Sequence, residues 1–182
     1  MLYIVLAALG YWLFFHESSI ATVGTNGYEY PGYEISPQKP YTMQALVLGT
    51  KSYTSGREAE LSRLDFALGW GPMADQRALD KIDISQRGRF YFWRVDSFRE
   101  VGLSRREIEQ HSANVHIIPA SEAVAQKLGE VDRGDRIELR GQLVNVRAAD
   151  GWRWRSSLTF DDTGKGACEL LWLEELQIIE AA

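Results

Sequence analysis

The clearest pattern of apolar and polar positions runs from Gly134 to Phe160. Ile137, Leu139, Gly141 and Leu143 alternate with Arg136, Glu138, Arg140 and Gln142, the period-two signature of a half-buried strand. Asp150-Gly151 follows and predicts a hairpin with a two-residue type I′ turn, which needs positive φ at both central positions. That turn sets Arg147 opposite Trp154, Asn145 opposite Ser156 and Leu143 opposite Leu158. Gly141 then falls opposite Phe160, where a ring can lie across bare backbone. Apolar parity slips between Leu143 and Val144, which predicts a bulge or a strongly coiled strand.

Other stretches repeat the alternation or replace it with helical spacing. Tyr41 to Tyr53 reads as a strand. Ala59, Leu61, Leu64 and Leu68 stand near helical spacing, although Ser55-Gly56 can equally open an irregular loop. Gly69-Trp70-Gly71-Pro72 is a loop with special backbone needs. Ser85 to Gly88 reads as a turn, and the following run, RFYFWRVDSF, as a strand with Tyr91, Trp93 and Val95 on one face. Ser104 and Glu107 have capping-box spacing, so a short helix starts there and ends near His111. The run VHIIPA is extended and closes at Pro119. Ser121 caps a second helix, EAVAQKL, which Gly129 terminates. After Phe160, DDTGKG is a loop, ACELLWL a buried strand, and LQII its edge or continuation.

These elements predict a mainly β (α+β) fold, a small OB-like barrel. It is a closed or partly closed antiparallel barrel with two short helices, preceded by an N-terminal apolar helix. The stretch Leu64–Leu173 also resembles uncharacterised bacterial proteins through LDFALGWGP, HSANVHIIPA and DTGKGACEL. That resemblance implies no activity and assigns no residue a role.

Ahead of the barrel the character of the chain changes. Leu2 to Phe15 is fourteen residues without a charge, shorter than the roughly 20 residues that span a bilayer. Tyr11, Trp12, Phe14 and Phe15 gather at one end, as an interfacial belt does. A cleaved signal and a buried soluble segment are the alternatives. The signal reading lacks a positive n-region, since no Lys or Arg precedes Lys39. The expected organisation is therefore a membrane anchor or signal-like segment over 1–16, a linker over 17–40 and the barrel domain over 41–182. The domain is expected outside the cytoplasm. Tyr28, Tyr30 and Tyr33 in the linker are expected to pack on the domain rather than on lipid.

Charge and candidate chemistry narrow the function. A formal net charge of −5 argues against a general nucleic-acid binder. No CxxC, P-loop or GxGxxG occurs, no cofactor is implied, and the single cysteine, Cys168, excludes an internal disulfide. Cys168 with His111 or His116 is the one thiol arrangement to weigh for a hydrolase or transferase. Against it, Cys168 sits in an apolar run, the usual place of an unreactive thiol. A metal site from His111, His116 and an aspartate fits poorly, because a five-residue separation suits neither a helix face nor one strand face. Asp161 and Asp162 with Gly164 and Gly166 resemble no full calcium loop. Trp152, Arg153, Trp154 and Arg155, with Arg147 beside them, form the strongest ligand-binding candidate. Rings with guanidinium groups bind sugars, peptides, headgroups or single-stranded nucleic acid, and the structural alternative is that the tryptophans close the core. The leading expectation is a non-catalytic, membrane-anchored binding module with a protein or small-ligand partner.

Overall fold

The computed structural model describes residues 22–24, 27–159 and 168–182. The N-terminal apolar segment, Phe160, Asp161 and Asp162 lie outside the described residues. The described chain is mainly β, with few and short helices. Its strands are β1 (Thr22–Gly24), β2 (Gly27–Tyr30), β3 (Tyr33–Ser52), β4 (Leu64–Gly69), β5 (Asp83–Arg87), β6 (Phe90–Arg94), β7 (Ser112–Pro119), β8 (Arg136–Ala148), β9 (Arg153–Arg155) and β10 (Glu169–Glu180). The α-helices are α1 (Gln76–Leu79), α2 (Phe98–Val101), α3 (Arg105–Gln110) and α4 (Glu122–Leu128), and 3₁₀ turns span Arg57–Glu60 and Gly71–Ala74.

Part of the main sheet closes into a ring. The pairing order is β3, β4, β7, β10, β8, and β8 pairs back with β3. Four of these five pairings are antiparallel, but β7 and β10 run parallel, which corrects the all-antiparallel expectation. A connection containing α4 joins β7 to β8, so β10 and not β8 becomes the neighbour of β7. Inside the ring, Phe66, Leu68, Val115, Ile117, Leu139 and Leu171 are fully buried, and Val124 and Leu128 of α4 pack against them.

β3 and β8 outrun the ring and continue with β2 and β9 as a sheet extension. Residues 17–40 are therefore not a linker in their second half. Tyr33 and Ile35 are buried in strand, because they meet Ala148 and Val146 of β8. The tyrosines do pack on the domain: the Tyr28 ring stacks on Trp172 at 4.5 Å, and Tyr33 meets Trp152 edge-on at 5.8 Å. The parity slip at Leu143 and Val144 has a simple cause. β8 itself stays regular there, so Leu143 and Val144 face opposite sides by strand alternation, Leu143 towards the ring interior and Val144 towards a second core under the extension. Across from them the register of β3 jumps between Pro37 and Lys39, leaving Gln38 as the extra residue.

Two local structures depart from expectation. Leu64–Gly69 is a strand and not the end of a helix, with all but Leu64 buried. Burial on both faces makes its apolar run continuous and hides the period of two. The second departure is the hairpin turn at Asp150-Gly151. Ala148 N–H donates to Trp152 O and Gly151 N–H to Ala148 O, both at 3.0 Å. The loop therefore has three residues, and only Gly151 (φ 91) takes positive φ. The register moves by one: Arg147 faces Arg153, Val146 faces Trp154, and Asn145 faces Arg155. Gly141 is paired with Tyr41 and Leu173. A Cβ there would come within 1.9 Å of the Trp172 carbonyl oxygen, so close backbone approach from β10 explains the glycine. The expected pairing with Phe160 falls outside the described residues.

The helix signals are found where expected. Ser104 and Glu107 form a complete capping box on α3, with His111 as C-cap. Ser121 caps α4, and Gly129 ends it. The turn expected at Ser85–Gly88 sits further on, since Ser85–Arg87 belong to β5 and Gly88-Arg89 make the bend to β6.

Candidate functional site

The one-residue change of register decides what the Trp-Arg cluster can do. Strand alternation puts Trp152 and Trp154 on the side of Val146 and Val144, where both rings are half-buried against the second core. Their faces are already occupied by guanidinium groups of the same chain. Arg57 lies 4.9 Å from the Trp152 centroid and Arg89 5.6 Å from that of Trp154. Arg57 also makes a two-pronged pair with Asp150, at 2.6 and 3.0 Å. Those bonds, followed by one from Trp152 N–H, hold the Asp150 carboxyl below its ordinary value. The loop before β4 and the β8–β9 turn are thereby tied together.

Arg147, Arg153 and Arg155 face the other way, to solvent. Arg147 does not sit beside Trp154, as the two-residue turn would require; it pairs with Glu34 on β3 at 2.7 Å. Among the described residues, Arg153 and Arg155 have no ion-pair partner. Together with Glu34, Ser36 and Asn145 the three arginines line a shallow groove of about 330 Å³.

A second polar centre, invisible in the sequence pattern, lies on the outer side of β4 and β7. Asp65 alternates with Phe66 and so points away from the ring interior, yet it is fully buried. The β5–β6 hairpin covers it. Arg89 at the hairpin tip donates from Nη1 to Asp65 Oδ1 at 2.9 Å and from Nη2 to the Ser62 carbonyl at 2.7 Å. Its φ of 68° is the positive value that a type I′ turn demands and a side chain resists. Asn114 Nδ2 donates to Asp65 Oδ2 at 3.3 Å, and Gln86 of the hairpin donates to Asn114 Oδ1 at 2.8 Å. His116 Nδ1 stands 2.9 Å from the same carboxylate, close as an ion pair but not aligned as a hydrogen bond. The Trp154 ring closes over His116 at 5.1 Å.

The two histidines are thus separated in role. His116 belongs to the Asp65 cluster. His111 ends α3, where its Nδ1 donates to the Glu107 carbonyl at 2.8 Å and its ring lies 6.5 Å from Trp70. Cys168 is half-buried at the start of β10 beside the cluster, with Sγ 4.0 Å from the Arg89 carbonyl. Among the described residues no group of three His, Cys, Asp or Glu is placed to hold a metal ion, and no helix is long and apolar enough to cross a membrane. The sequence signal for the missed centre is a lone carboxylate, Asp65, within an otherwise apolar strand. No protein family, curated protein or solved structure matches the chain.

Proposed function

We propose that the chain is a non-catalytic binding module on an OB-like barrel, held to a membrane by its N-terminal segment with the domain outside the cytoplasm. The strand order supports the barrel assignment. Three successive ring strands (β3, β4, β7) form a meander, a connection containing α4 follows, and the last strand inserts between β7 and β8. That is a five-stranded Greek-key ring. Its interior is filled by side chains, so a ligand meets the outer surface. One observation carries the binding assignment. Asp65 and His116 are engaged with each other and with Arg89 and Asn114 under the hairpin, whereas Arg153 and Arg155 stand exposed without an ion-pair partner among the described residues.

Single-strand binding by stacking is disfavoured, because Arg57 and Arg89 already lie over the two tryptophans. Thiol chemistry keeps one observation in its favour, since Cys168 directly precedes the β10 segment that runs beside the His116 strand. The module reading is tested by fractionating cells that express the full chain. It should remain with membranes after an alkaline wash, and external protease should reach the domain in spheroplasts. Recovery of the full chain in the soluble fraction without detergent overturns the anchor. Rapid thiol labelling of native Cys168 at neutral pH, with loss of a measured activity in a folded Cys168→Ser variant, overturns the non-catalytic part.

A further inference from the structure

We infer that the face bearing Arg147, Arg153 and Arg155 docks onto an anionic lipid surface, that of the bilayer which the N-terminal segment enters. The inference rests on the anchor reading above. Arg147 and Arg153 are directly opposed on neighbouring strands, an arrangement that is unfavourable unless another charge answers it. Glu34 answers Arg147. Arg153, and Arg155 opposite Asn145, have no such partner among the described residues. In a chain of net charge −5, two such cations on one sheet face suit a counter-charge from outside the molecule.

The shape of the face suits a layer of headgroups better than one small anion. The arginines stand on two adjacent strands, and the groove between them is shallow, about 330 Å³. The tether supplies proximity. β1 begins at Thr22 and is joined through β2 to β3, the strand that carries Glu34 beside Arg147. Only residues 16–21 separate Thr22 from the apolar run ending at Phe15, a span of about 25 Å at full extension. Screening confines surface attraction to about 8–10 Å, so free domains would seldom sample the contact. An anchored one samples it continually, at an effective concentration on the order of millimolar.

The test uses the full chain carrying Ala149→Cys and Cys168→Ser, which leaves one thiol, at the exposed hairpin turn, to take a fluorescent donor. It is reconstituted into phosphatidylcholine bilayers, with and without phosphatidylglycerol, that carry a headgroup-linked acceptor. Energy transfer should rise with phosphatidylglycerol, fall back at high salt, and lose its lipid dependence in Arg147→Glu/Arg153→Glu/Arg155→Glu. Equal transfer in both bilayers overturns the inference, as does a charge-reversed chain that keeps the difference. Single-stranded DNA bound with the same arginine dependence, in place of lipid, also overturns it. Flotation with neutral vesicles tests the anchor separately. If the chain does not float, co-sedimentation with anionic vesicles decides the arginine face alone. At millimolar anionic lipid, which matches the tethered concentration, charge reversal should then weaken binding by at least roughly tenfold, and absence of co-sedimentation there refutes the docking.

Discussion

The Asp65 cluster and the arginine face draw on the same residue types and use them in opposite ways. Under the β5–β6 hairpin, Asp65 is fully buried and is contacted by Arg89, Asn114, His116 and Ser62. Removing a carboxylate from water costs several kcal/mol, and only dense partnering offsets that. Across the extension sheet, Arg153 and Arg155 stay hydrated and incur no such cost. Buried charge must be answered within the chain, so it fixes the hairpin in place. Exposed charge need not be answered, so it is free for a ligand. Paired against unpaired, and not polar against apolar, separates the two regions.

The largest expected effect is at Asp65. Asp65→Ala leaves Arg89 and His116 facing each other without the carboxylate between them. Breaking a buried pair on one side typically costs about 3–5 kcal/mol. Urea unfolding should show that loss, and hydrogen exchange should show the hairpin 83–94 opening first. A cost below about 1 kcal/mol would place the cluster among ordinary surface pairs and remove the contrast.

A smaller effect separates charge from backbone at Arg89. Arg89→Ala and Arg89→Gly both delete the guanidinium, but only alanine keeps a side chain at φ 68°. The glycine variant should therefore be the more stable of the two by about 1 kcal/mol. Equal stabilities would mean that the tip conformation relaxes once the ion pair is gone.

How far these features could be read from the sequence follows the distance over which each is determined. The capping box at Ser104 and Glu107 and the cap at Ser121 are local, and the structure contains both. Asp150-Gly151 marks a turn correctly but does not select its length, because one positive-φ glycine also serves a three-residue loop. The parity of Val146 with Trp154 would have selected it, since both face the second core. β4 was obscured by its own burial: Leu61, Leu64 and Leu68 mimic helical spacing only because nearly every residue between Leu64 and Gly69 is inside. The Asp65 cluster draws on positions 62, 65, 86, 89, 114 and 116, brought together by sheet topology that no window of sequence contains. The Trp-Arg alternation, by contrast, is local, and the opposite facing of the two residue types was legible without the register.

Asp150 offers a pH-dependent check on the link between the two regions. Its folded pKa is lowered by Arg57 and by Trp152 N–H. A group lowered in this way adds stability above its unfolded value, near 3.8, and loses it as pH falls through the lower folded value. The stability gap between the parent chain and Asp150→Asn should be present at pH values well above 3.8 and should shrink as the solution is acidified below it. Because the pair is exposed to solvent, the gap should be modest and should narrow with salt. A gap that is unchanged on acidification would show that it does not come from the ionised Asp150 carboxylate and its pair with Arg57.

The smallest effect has an unusual sign. Arg153 stands opposite Arg147 with no carboxylate of its own among the described residues, so the parent arrangement carries a like-charge pair across β8 and β9. Arg153→Glu turns that repulsion into attraction, and opposed charges on paired strands contribute roughly 0.2–1 kcal/mol. Glu34 already holds Arg147, so the gain belongs at the low end of that range. The variant should unfold at slightly higher urea than the parent, with an unchanged slope, since the surface exposed on unfolding is the same. It should at the same time lose part of the anionic-lipid response. Stability that rises while binding falls is the mark of a residue kept for a ligand and not for the fold. Were Arg153→Glu instead to destabilise the domain by about 1 kcal/mol or more, beyond the usual range for surface changes, Arg153 would hold the β8–β9 hairpin as Arg89 holds its own, and the contrast between the two regions would fail.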